Sequence, residues 1–221
     1  VSLESRTDAF ASGVTVQAGA DYSAHLYGTW DASSLTVTGY GIDDGESGNI
    51  IVTGKTTLTS DSGHDITLDN ANNNVNSVKV VSGQFVNLRD TNGITLDGVT
   101  AAGSLSVYAG GNIDQTDTLS VASNASFKST GGDITLTYSG NQFGNLTFYG
   151  SGAVAISETG DTDFDGINKA GSLQIVSSGE IKDDNGTTID VAGNASFTST
   201  NSPSGHITLG DYGADVTNFG S

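Results

Sequence analysis

Asp161-Thr162-Asp163-Phe164-Asp165-Gly166 is the sharpest local motif in the sequence. Its D-x-D-x-D-G spacing is that of calcium loops, where alternate carboxylates converge on a hard cation and Gly allows a sharp turn. Calcium at Asp161, Asp163 and Asp165 is therefore one expectation, and no other cofactor is implied. The motif departs from a complete EF-hand loop, because Ser172 stands where the bidentate Glu belongs and Lys169 occupies the ninth position. A second reading makes the segment a strand with Phe164 inward and the three Asp outward. Two further acidic groups, Asp43/Asp44/Glu46 and Asp183/Asp184, read as turn residues at one corner, where Asp stabilises tight turns, with a cation site as the other reading.

Few other residues point to chemistry. Tyr22, Tyr27 and Trp30 break the apolar phase of their surroundings and read either as local packing or as a small patch for sugar or protein. His25, His64 and His206 are not paired in sequence with a nucleophile and an orienting acid, so no triad or zinc site is expected. The absence of Cys excludes disulfides and thiolate metal sites. With 25 acidic and 7 basic residues the net charge is −18, which repels nucleic acid and anionic membranes. No apolar run approaches a membrane span, so no membrane insertion is expected.

The elements that must position these residues repeat. Leu105 lies 70 residues after Leu35, and Leu173 lies 68 after Leu105. Ile50, Leu119 and Ile189 correspond, as do Val52, Val121 and Val191, and Leu58, Phe127 and Phe197. Val75, Val78, Val80, Val86, Leu88, Leu96, Val99 and Ala102 map, 68 residues on, to Phe143, Leu146, Phe148, Val154, Ile156, Phe164, Ile167 and Ala170. Every mapped position is apolar, so a buried core is expected to repeat. The copies divide as 34–103, 104–171 and 172–221. Residues 1–33 read as the end of an earlier copy that carries an atypical stretch at 17–34. The chain, which starts and stops within copies and lacks an initiator Met, is expected to be one segment of a longer protein, with neighbouring repeats as its first partners.

Apolar and polar residues alternate at Leu105/Val107, Leu119/Val121, Ile134/Leu136, Leu146/Phe148 and Val154/Ile156. That period is the strand period. Turn signals such as Ala109-Gly110-Gly111-Asn112 and Thr130-Gly131-Gly132-Asp133 lie between, and no segment carries a helical stripe. The fold expected is all-β, a parallel β-helix (β-solenoid) with about three turns per repeat. Nine or ten turns stacked about 4.8 Å apart would extend about 45 Å. Leu35, Leu105 and Leu173 are expected to point inward on one shared face.

The string Ile66–Phe127, with ITLDN, GITLDGVTAAGSLSVYAGGNIDQ and LSVASNASF, resembles the repeats of large secreted exoproteins similar to filamentous haemagglutinin. The resemblance covers most of residues 34–221. It implies a right-handed helix, export from a Gram-negative-type cell by a two-partner or autotransporter route, a bacterial cell-surface location and a stalk or adhesin role. A binding module for a host or cell-surface glycan or protein, assisted by calcium, is the first alternative. A polysaccharide-active enzyme is the second. A glycosidase needs two carboxylates facing one bond, which Asp residues on adjacent turns could supply. Enzymes of this shape that act on uronic acids also need cations, whereas Arg6, Arg89 and the five Lys (Lys55, Lys79, Lys128, Lys169, Lys182) are scattered. The expectation is therefore a non-enzymatic structural or adhesive segment with no catalytic residues.

Overall fold

The computed structural model describes residues 2–5, 9–10, 12–19, 21–61, 63–200 and 205–220. Those residues form 24 strands and no helix, and every pairing between strands is parallel. The chain coils as a right-handed parallel β-solenoid of about nine turns, about 43 Å of stacked backbone at strand spacing. Short runs of alternating residues produce this shape because each turn must bury one side of three strand segments against the others.

Three inward ladders define the three faces. On one, Ala24, Ile42, Ile66, Val86, Leu105, Ala125 and Leu146 stack in register. On the next, Ile94, Ile113, Ile134, Val154, Leu173 and Ala195 do so. Val16, Val37, Leu58, Val80, Val99 and Leu119 form the third. Long strands such as Ile113–Ser129 bend around a corner and serve more than one face. Phe127, Phe148 and Phe164 are wholly buried. Phe127 meets Phe143 edge-on at 5.6 Å between ring centroids, and Phe148 meets Phe164 at 6.0 Å, a geometry aromatic quadrupoles favour.

Leu35, Leu105 and Leu173 are all buried, at 1–3 % exposure, but they do not share a face. Leu35 stacks with Val14 and Thr56, Leu105 with Val86 and Ala125, and Leu173 with Val154 and Ala195. From Leu35 to Leu105 the chain traverses ten strand segments, and ten more lead to Leu173. With three segments per turn, each copy advances three turns and one further face. Equivalence in sequence thus places residues on successive faces, and Ile66, Ile134 and Ile207 likewise occupy three different columns.

Two mapped positions are not core. Ala102 is exposed, flanked by buried Ala101 and Gly103, just past a strand whose pairing shifts register between Leu96 and Val99 and again before Ala101. Ile167 is 59 % exposed because Asn168 takes the inward slot and accepts the Phe148 N–H at 3.0 Å. A shift of one residue sends a side chain to the opposite side of a sheet. Within the stretch 17–34, Ala24–Ala32 is a regular strand paired in register with Ile42–Asp43 and Asn49–Val52 of the following turn.

Candidate functional site

Strand geometry decides the fate of the Asp161–Gly166 motif. Thr162 and Phe164 are fully buried and Asp161, Asp163 and Asp165 alternate outward, as the strand reading requires. Residues two apart on a strand are about 6.6 Å apart along the backbone, and the three carboxylates do not gather within 4.8 Å of one another. Two of the carboxylates are also engaged separately. Asp161 accepts the Glu180 N–H at 2.8 Å, and Asp163 pairs with the Lys182 ammonium at 2.8 Å. Asp163 holds the Lys182 pKa above its ordinary value, so the ammonium keeps its charge.

Among the described residues, three carboxylates approach within 4.8 Å elsewhere, at Asp183, Asp211 and Asp215. The other copies explain this place. Asp44 is wholly buried and accepts the Asn73 side-chain N–H at 2.6 Å and the Asn70 N–H at 3.1 Å. In the second copy Gln115 and Asn141 exchange two amide hydrogen bonds of 2.9 Å, and Gln115 accepts the Tyr138 N–H. Asp183 occupies the position of Asp44 and Gln115 and accepts the Gly210 N–H at 3.1 Å, while Asp215 stands where Asn73 and Asn141 stand. Each of those three residues donates its own N–H to a carbonyl three positions earlier. The third copy thus sets carboxylates where the others set an amide donor. Burial first, then the charges of Asp215 and Asp211, raises the Asp183 pKa, so the group has the chemistry to share a proton or a hard cation.

The acidic groups read as turn residues at one corner therefore divide. Asp44 and Asp183 are buried brackets on different faces, whereas Asp184 is exposed. Neither Asn73 nor Asn141 stood out in the sequence, though their spacing of 68 residues was the available signal.

A second buried acid recurs. Asp90 accepts the Val75 N–H at 2.6 Å, and its equivalent Glu158 accepts the Phe143 N–H at 2.7 Å and the Thr162 hydroxyl at 2.9 Å. Burial pushes the Glu158 carboxyl from 4.5 to about 7. Its folded pKa exceeds the unfolded one, so stability is greatest below pH 4.5 and falls as pH rises through 7. Glu158→Gln keeps the Phe143 contact and imitates the protonated acid. We expect the variant to match the wild type at pH 4 and to exceed it by about 3 kcal/mol at pH 8, measured by urea unfolding. Parallel pH profiles for the two proteins would refute this.

Of the two readings of Tyr22, Tyr27 and Trp30, local packing describes Trp30 and Tyr27. Trp30 is 4 % exposed and donates its indole N–H to the Tyr27 carbonyl at 3.0 Å. It belongs to the core, because Ala24, Leu26, Trp30 and Ala32 all face inward. Tyr22 is 59 % exposed, and half-buried Tyr27 stacks on His25, whose Nδ1 meets Asp43 at 2.6 Å.

A different aromatic row lies on the outside of the Val86–Gly150 face. Arg89, Tyr108, Lys128, Tyr149 and Lys169 are consecutive register partners, followed by Asp190. The Arg89 guanidinium sits 4.8 Å from the Tyr108 ring centre, and the Lys128 ammonium lies 5.4 Å and 5.3 Å from Tyr108 and Tyr149. Such contacts fix a cation over an aromatic face. A shallow groove bounded by Tyr149, Ser151, Lys169, Gly171 and Asp190 runs at its end.

Comparison with known proteins agrees with the internal repetition. A family model described as repeats of unknown function (DUF5649) matches three consecutive segments, residues 11–82, 83–148 and 151–220. The segments keep the period and begin about 20 residues before the copies drawn from the leucines, and the first runs through 17–34 without interruption. No curated protein and no solved structure matches the chain.

Proposed function

The chain belongs to this family of repeats, and from that premise we propose that it is a structural segment of an extracellular bacterial surface protein, a length of shaft that holds an adhesive region away from the cell. The observation that carries this reading is the uninterrupted core. Three inward ladders run through the stack, and the buried polar groups (Asp44, Asn73, Asp90, Asn141, Glu158 and Asn168) accept or donate hydrogen bonds that close the corners. Their role is to satisfy backbone groups that a coiled chain would otherwise bury unpaired. The resemblance of Ile66–Phe127 to filamentous haemagglutinin-like repeats supports the surface location, and the charge of −18 suits a well-solvated shaft.

The reading is tested on cells that make the parent protein. Antibodies raised against this segment should label intact cells, and electron microscopy should place the label along a rod. Label appearing only after permeabilisation would overturn the proposal. The segment should also leave a panel of polysaccharides uncleaved, and cleavage lost on changing one carboxylate would replace the structural reading with an enzymatic one.

A further inference from the structure

The Arg89–Lys169 row has the features of a binding strip. We propose that it takes a linear acidic glycan carrying one carboxylate or sulfate per disaccharide, laid along the solenoid axis. The inference goes beyond the shaft reading and holds whether or not that reading is correct.

Charge singles out this face. The chain has only 7 basic residues, and three of them fall in one register column. On the four rungs from Val86 to Gly150 the neighbouring outward residues are Asn87, Ser106, Ser126 and Thr147. None of these is acidic, and Asp69 and Asp184 reach these rungs only through amide hydrogen bonds from Asn87 and Asn145. Other cations of the chain are neutralised at home: Lys55 pairs with Asp97 and Lys182 with Asp163. Within the strip Lys169 meets Asp190 at 3.6 Å. Among the described residues Arg89 and Lys128 form no ion pair and rest only on tyrosine rings.

Spacing selects the ligand. Cations on alternate rungs are about 9.6 Å apart along the axis, close to the length of an extended pair of pyranose residues. Double-helical DNA places a phosphate about every 3.4 Å along each strand and would leave most of its charges unmatched. The tyrosines between the cations offer hydroxyls and ring edges at the intervening sugar. Because the rings hold Arg89 and Lys128 in place, less side-chain freedom is lost on binding. Access is open as well, since the adjoining corner is built from Gly110, Gly131, Gly152 and Gly171, which project no side chain.

Titration calorimetry at low salt with hyaluronan oligosaccharides, which carry one carboxylate per disaccharide, tests this. Wild type should bind, the affinity should fall as salt rises, and Lys128→Glu should weaken binding at least tenfold. Lys55→Glu, off the strip, should leave it unchanged. Circular dichroism confirms that both surface variants keep the fold. No binding by the wild type, or equal loss from both variants, overturns the proposal. Equal or tighter binding of single-stranded DNA shows a general polyanion strip and overturns it too. So does self-association in sedimentation that is lost in Lys128→Glu without glycan binding, because the strip would then be an interface between copies of this chain.

Discussion

Ile134→Asp should destabilise the solenoid by about 4–5 kcal/mol or more, the largest loss expected of any single substitution considered. Ile134 is wholly buried and stacks between Ile113 and Val154. A carboxylate there has no partner, because its in-register neighbours Ile113 and Val154 carry no donor side chain. Coupling in a stack is to nearest neighbours, so the loss should begin locally. Hydrogen exchange should show protection falling first at Ile113, Ile134 and Val154, while the distant Val16–Val37 rung keeps its protection. Unchanged protection at Ile113 and Val154 would refute the ladder.

Asn141→Leu should cost about 3–4 kcal/mol. The Asn141 amide oxygen accepts the buried Leu119 N–H at 3.0 Å and the Gln115 side-chain N–H at 2.9 Å. Its nitrogen faces the carbonyls of Leu136 and Ser157 and the Gln115 amide oxygen, at 2.9–3.2 Å. Leucine fills the space but leaves the Leu119 N–H without an acceptor inside the core. Asn141→Asp retains that acceptor and should cost less, with the deficit shrinking as pH falls and the acid recovers a proton. Urea unfolding of both variants checks this ordering, and a loss below 1 kcal/mol for Asn141→Leu would show that water satisfies the corner instead.

The architecture was legible because burial in a solenoid imposes a period of two within each strand and a longer period between copies. Leu35, Leu105, Phe148 and Ile156 could be assigned inward on those grounds alone. Their faces could not. A repeat of about 70 residues fits three turns nearly as well as three and a third, and only hydrogen-bond register separates the two. Trp30 was left between packing and a surface patch because its neighbours break the apolar phase, whereas its parity with Leu26 already pointed inward. The acidic motif at Asp161–Gly166 shows a different failure. Carboxylate spacing in sequence becomes spacing in space only once the backbone is known to curl or extend, and here Thr162 and Phe164 anchor an extended strand. Asn73 and Asn141 were silent because polar residues at turns are common. What distinguishes them is burial, which no spacing of polar residues announces.

The extra third of a turn in each copy makes the repeat a screw. A side chain at a fixed position in the repeat points about a third of a revolution away from its counterpart in the next copy and lies about 16 Å further along the axis. Three copies, about 48 Å, bring it back to the same bearing. In an array of such copies a flat partner lying against one side would touch only every third equivalent, whereas a flexible chain winding with the same pitch could touch all of them. Substitutions confined to one copy, such as Asp215 where the others hold Asn, therefore mark one direction as well as one height.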